Sequence, residues 1–238
     1  MAGFQMDPLY WLILGPALLF MMVAQWLVRS TFTKWDKVRN QSAMTGAEVA
    51  SRLLAQNGMA DVQVGAVQGM LTDHYNPQSN VLNLSQATVN DASIAAMAVT
   101  AHEVGHAHQD ASNSALMRLR TGIVPVVNFG SQLGPILFVV GLMLQFNLLL
   151  WLGIALFSLA FVFALVTLPV ELDASRRAMS MLEQDGLITT PEDRKGARAV
   201  LNAAALTYVA GMLTALFQVI YYISLALRGR RDTRNGPN

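Results

Sequence analysis

The sequence predicts a mainly α membrane protein, with about four transmembrane helices and a small α+β part outside the bilayer. Three observations predict it. The 238-residue chain is 53% hydrophobic and only 13% charged, far from the balance of an ordinary soluble domain. Four long apolar stretches account for the excess. Between the first two lies a more polar stretch, 30–120, which holds a five-residue motif with the spacing of a metal site.

Taken in order, residues 9–28 (LYWLILGPALLFMMVAQWLV) have the length that crosses the hydrocarbon core as a helix. They lack a basic leader and a small-residue cleavage site, and their cations follow the apolar run, so an uncleaved anchor is expected rather than a signal peptide. Residues 30–120 form the soluble part. It contains a helix opened by a Thr45/Glu48 capping box, striped by Val49, Leu53 and Leu54 and closed by Gly58. Strand-like pieces follow at 62–67 and 81–84, around a turn at 76–80. The alternation in Val81-Leu82-Asn83-Leu84 is too short to assign a face. A small sheet there would offer an edge on which an extended peptide can pair. Residues 121–170 read as a membrane hairpin, 123–144 and 148–170, broken only by Gln145-Phe146-Asn147. Its small and polar residues, among them Asn128, Ser131, Gln132 and Gly134, suit a helix–helix contact within the chain or with a partner. A connection at 171–200 leads to a fourth span at 203–227 and a basic tail at 228–238.

Arg29, Lys34, Lys37 and Arg39 follow the first span, Arg118 and Arg120 precede the second, and Arg176 and Arg177 follow the third. One orientation gathers all eight on one side, which the positive-inside rule assigns to the cytoplasm. The expectation is a multi-pass protein of the inner (plasma) membrane with residues 30–120 cytoplasmic. Arg228, Arg230, Arg231 and Arg234 would then fall on the opposite face, and the earlier spans are expected to overrule them. The absence of cysteine excludes a disulfide framework and a thiolate zinc site. A net charge of +1 gives no case for nucleic acid.

His102, Glu103 and His106 spell HEVGH. Histidines at i and i+4 lie one above the other on a helix face and can converge on one Zn²⁺. Zinc brings the pKa of a water down to roughly 7, and the carboxylate between the histidines can take that proton. Residues 93–101, SIAAMAVTA, carry no charge and lead into the motif in the same period. Gly105 costs helix propensity, which suggests that another backbone or a substrate passes close by.

Such a site needs a third protein ligand. His108 lies two residues from His106, roughly 200° round the helix, and cannot reach the same ion. The extended pattern HExxHxxGxxH fails, because Gln109 and Ser112 occupy its glycine and third-histidine places. Glu171 and Asp173, in PVELDASRRA at the end of the third span, both remain. A carboxylate emerging from a membrane helix marks a functional site unless a neighbour such as Arg176 or Arg177 pairs it.

The chain resembles the YugP-like bacterial membrane zinc metallopeptidases, relatives of the HtpX-like gluzincins. The resemblance rests on HYNP (74–77), VLNLS (81–85), SIAAMAVTAHEVGHAHQ (93–109), PVELDASRRA (169–178) and ALTYVA (205–210), in the family's order. It implies a zincin-like catalytic part and a third ligand in a helix reading E-x-x-A-D. Glu171 matches the glutamate and Ala174 the alanine, while Ser175 stands where the aspartate that supports a ligand would be. Zinc is therefore expected on His102, His106 and Glu171, with Glu103 as the base that hands its proton to the leaving amine. The partners implied are a peptide or protein substrate and the lipid bilayer, and membrane-protein quality control is the setting the resemblance suggests. Tyr208 and His74 are candidate transition-state or substrate contacts. Tyr208 reads first as an interfacial tyrosine, and His74 equally as a structural loop histidine.

Two other readings stand beside this one. A site-2-type intramembrane protease would use Asp173 as ligand, from Leu172-Asp173. That class buries HExxH in a spanning helix, and only about nine mostly apolar residues precede His102. A membrane scaffold that keeps zinc without turnover has no chemical need for Glu103.

Overall fold

The structure is a computed structural model that describes residues 8–234, with side chains described as far as 228. Seven helices and three strands follow one another: α1 (Pro8–Asp36), α2 (Gly46–Gln56), β1 (Gln63–Val67), β2 (His74–Asn76), β3 (Val81–Ser85), α3 (Gln86–Asn90), α4 (Ile94–Ala111), α5 (Ala115–Met143), α6 (Asn147–Gln184) and α7 (Pro191–Arg234). The described chain divides into two compact units, and α1, α5, α6 and α7 each contribute to both.

The first unit takes its described residues from 8–23, 119–168 and 208–234. The helices α1, α5, α6 and α7 are each long and apolar enough to cross a membrane. Leu12, Leu19, Met22, Phe129, Met143 and Leu148 are exposed, as side chains facing lipid should be. The expected break at Gln145-Phe146-Asn147 is the tight turn between α5 and α6, with Gln145 at φ +53°. Gly130, Gly134 and Gly141 of α5 pack against α6, whereas Asn128 and Gln132 are exposed. A Cβ on Gly134 would lie 2.9 Å from the carbonyl of Gly153 on α6, so the hairpin closes backbone to backbone. Phe138, Leu150, Ile154 and Ala226 form the buried centre, where the rings of Phe138 and Tyr222 stack at 4.2 Å. Of the basic tail, the backbone is helical through Arg234, and residues 235–238 lie outside the described residues.

The second unit takes 24–118 and 169–207. Thr45 caps α2 in a complete capping box: its backbone N–H donates to Glu48 Oε2 at 2.7 Å, and Gly58 follows the helix at φ +72°. The sheet has the order β1-β3-β2, with β1 parallel and β2 antiparallel to the central β3. Leu82 and Leu84 of β3 point into the core, which settles the face that their short alternation left open. β2 lies where the sequence predicts a loop. It has no apolar alternation to announce it and exists because His74, Tyr75 and Asn76 pair with Asn83, Leu82 and Val81. Ser93 caps α4 by accepting from Ala96 N at 3.0 Å. α4 is buried on nearly every side among Val49, Leu53, Leu84 and Leu182, which explains its charge-free start.

Gly105 has the role its cost predicts. A Cβ there would lie 2.6 Å from the carbonyl oxygen of Ala174, so α4 and α6 meet backbone to backbone. One turn before Ala174 on α6 is Glu171. The missing side chain at Gly105 therefore sets the distance between the histidines of α4 and that carboxylate.

Candidate metal centre

His102 and His106 stand on one face of α4, their rings edge to face with centroids 4.8 Å apart. Glu171 Oε2 lies 3.2 Å from His102 Nε2 and 3.3 Å from His106 Nε2, and its carboxylate is 1% exposed. The three ligand atoms all fall within 4.8 Å of one another, a group able to hold a metal ion. Four-coordinate zinc with bonds near 2.0–2.1 Å places neighbouring donors about 3.3 Å apart, so the two nitrogen–oxygen separations fit it.

The protons on the rings make the same point. Gln109 Nε2 donates to the Val170 carbonyl (2.8 Å) and to Asp173 Oδ2 (2.9 Å), which turns its Oε1 toward His106 Nδ1 at 3.0 Å. An amide oxygen only accepts, so Nδ1 carries a ring proton and Nε2 is the nitrogen turned toward Glu171. A metal ion between that nitrogen and the carboxylate oxygen, 3.3 Å apart, would be held by both. His102 is oriented in a similar way by Ser175 Oγ, 3.2 Å from its Nδ1. Ser175 thus occupies with a hydroxyl the place where an aspartate was expected.

Glu103, next to His102 on α4, is held by strand β2. Its Oε2 accepts from the backbone N–H of Tyr75 at 3.1 Å, and the residue is 9% exposed. Burial pushes its carboxyl up to about 7. The charge of Glu171 and of Asp73 adds to that rise, while His102 and the Tyr75 bond oppose it. A carboxyl that titrates near neutrality can both take and return a proton.

Asp173 is engaged elsewhere. Besides Gln109 it receives Arg176 Nη2 at 3.0 Å and Arg177 Nε at 2.7 Å, so the arginines pair with Asp173 and not with Glu171. His108 accepts from Arg177 Nη1 at 2.6 Å, off the metal face as its spacing requires. Burial and that guanidinium hold it below its ordinary pKa, in the neutral form able to accept. His74 is exposed on β2, its Nδ1 2.9 Å from Thr72 O and its Nε2 3.3 Å from Asn83 Nδ2. Tyr208 is a half-buried residue of α7 in the first unit.

The supporting roles of Gln109 and Tyr75, and that of the Ser175 hydroxyl in place of an aspartate, go beyond what the sequence predicts. Two of them carried a signal. Gln109 is three residues after His106 and Ser175 four after Glu171, each on the face of its neighbour. Tyr75 carried none, because it acts through its main chain.

Comparison with known proteins agrees with this geometry. Residues 10–227 match the model of a family described as "Putative neutral zinc metallopeptidase". The chain is 46% identical over 209 residues to "Putative membrane protease YugP" of Bacillus subtilis (strain 168), covering 88% of this chain and 92% of that protein. No solved structure matches it. With a matched span that takes in nearly the whole chain and a buried site composed for zinc, this protein belongs to the neutral zinc metallopeptidase family.

Proposed function

We propose that the protein is a gluzincin-like metalloendopeptidase that hydrolyses peptide bonds at the cytoplasmic surface of the inner membrane. The observation that carries this is the convergence of His102, His106 and Glu171, with the buried Glu103 beside them. His102, His106 and Glu171 would hold zinc, which supplies Lewis acidity and brings a water's pKa toward neutrality. The chain's own residues do the rest. Gln109 and Ser175 hold the two rings in the orientation that presents Nε2. Glu103, held by Tyr75 N–H, takes the water's proton as the scissile carbonyl is attacked and returns it to the leaving amine. Strand β2 lies at the edge of the sheet beside Glu103, where an extended substrate can align. Tyr208 and His74 complete the proposal as transition-state or substrate contacts. Unfolded or membrane-associated chains suit a site on α6 just past a membrane-length apolar stretch, in keeping with a part in membrane-protein quality control.

The site-2 reading would need Asp173 on the metal, and the bonds of Asp173 to Gln109, Arg176 and Arg177 favour Glu171 instead. α4 is also not among the helices of membrane-spanning character. A zinc-keeping scaffold would leave the raised carboxyl of Glu103 without a use.

The test is Glu103→Gln, purified in detergent with its zinc content measured. Zinc should stay stoichiometric, while cleavage of a denatured membrane protein falls about 10²–10⁴-fold, the usual contribution of a general base. Undiminished cleavage by the glutamine variant would rule out this mechanism.

A further inference from the structure

Past its apolar stretch, α1 continues as a helix whose exposed face is basic. Trp26, Arg29, Ser30, Thr33, Lys34 and Lys37 line one open recess of about 470 Å³. The spacing of the first five, i, i+3, i+4, i+7 and i+8, keeps them within an arc of about 140° at 100° per residue, and Lys37 follows directly after the helix. Extending that arc toward the N-terminus meets Leu12, Leu19, Met22 and Val23, which are 75%, 62%, 67% and 43% exposed. A single face of a single helix is therefore apolar over its first part, aromatic at Trp26 and cationic beyond.

We propose that this face binds the headgroup of an anionic phospholipid, with the lipid's acyl chains along the apolar stripe. Trp26, 65% exposed, sits where an interfacial tryptophan belongs. At 1.5 Å per residue Arg29 stands about 4.5 Å and Lys34 about 12 Å beyond it, and long basic side chains reach back into a headgroup layer roughly 5–8 Å deep. Among the described residues no carboxylate pairs with Arg29, Lys34 or Lys37. The nearest acid on the helix, Asp36, accepts instead from the Ser93 hydroxyl at 3.2 Å. Lys34 Nζ is further placed by the Trp35 ring, 5.2 Å from its centroid. Three unpaired cations with two hydroxyl residues between them match a phosphodiester, which offers negative oxygens at short range. The surface thus complements the lipid in charge, in depth and in the direction of its tails.

The test uses the full chain in phosphatidylcholine nanodiscs containing graded amounts of brominated phosphatidylglycerol or brominated phosphatidylcholine. Quenching of Trp26 is isolated by subtracting the Trp26→Phe protein. Wild type should prefer phosphatidylglycerol by about fivefold or more, the scale of one basic side chain at an anionic surface. The triple variant Arg29→Gln/Lys34→Gln/Lys37→Gln should bring that preference to about one, whereas Lys195→Gln/Arg198→Gln, exposed cations of α7, should leave it intact. Equal quenching by both lipids in wild type overturns the proposal. So does an equal loss in the two variants, which would reduce the effect to net charge. Displacement of the brominated lipid by millimolar inorganic phosphate would make this a soluble-anion site and overturn it as well.

Discussion

The backbone N–H of Tyr75 and Oε2 of Glu103 are 3.1 Å apart, and the Tyr75 hydroxyl lies 2.9 Å from Asp110 Oδ2. Glu103 and Asp110 are seven residues apart, two turns along one face of α4. The edge strand is therefore fastened to the motif helix at two points by a single residue, one of them the carboxylate assigned to proton transfer. Tyr75→Phe should keep the main-chain bond and the zinc while removing the hydroxyl from between Asn80 Oδ1 and Asp110 Oδ2. We expect a loss of about 1 kcal/mol in stability, seen as a thermal midpoint lower by roughly 2–4 °C. Loss of zinc in that variant would contradict the assignment of Tyr75 to the base rather than to the metal.

The two carboxylates of α6 should separate cleanly. They are two residues apart, so they point roughly 200° away from each other on the helix. Glu171→Ala should empty the site and abolish cleavage. Asp173→Ala should still bind one zinc, with affinity lower by about 10–100-fold, because it acts only through Gln109 and His106. Gln109→Leu should weaken zinc by a similar factor for the same reason. Zinc titration of the three purified proteins decides the matter: metal lost with Asp173 and kept without Glu171 would favour the site-2 arrangement.

Glu103 predicts a pH dependence of the zinc-stripped protein. Its carboxyl sits near 4.5 when unfolded and is raised to about 7 in the fold. Between those values the native state binds more protons than the unfolded one, so stability should fall as pH rises from about 4.5 to about 7 and level off above. The full effect is at most about 3 kcal/mol. Glu103→Gln removes the titrating group, so its thermal midpoint after zinc removal should be flatter over that range and higher than wild type at pH 8. Parallel profiles for the two proteins would show that the carboxyl is not buried as described.

Orientation can be read with one engineered thiol, since the chain has no cysteine of its own. Gln56 is exposed at the end of α2, in the soluble part assigned to the cytoplasm. Gln56→Cys should react with a membrane-impermeant thiol reagent only after the cells are opened. Labelling in intact cells would invert the proposed topology.

Much of this protein was legible in its residues taken in order. Apolar length marked the membrane-spanning helices, because crossing a bilayer is a demand on consecutive side chains. The Thr45/Glu48 capping box, the i,i+4 histidines and the cost of Gly105 are likewise local, and each was found as its spacing predicted. The sequence could name Glu171 and Asp173 as rivals but could not choose between them by spacing. The close passage of α4 over Ala174 brings Glu171 Oε2 between two imidazoles and leaves Asp173 to Gln109 and the arginines, which favours the proposed Glu171. The strand β2 and the Tyr75 bond to Glu103 were also invisible, since a three-residue strand has no periodicity and a main-chain N–H is common to every residue but proline. Local chemistry is written in neighbouring residues, whereas the pairing of groups 28 or 69 positions apart is decided only when the packed core fixes which faces meet.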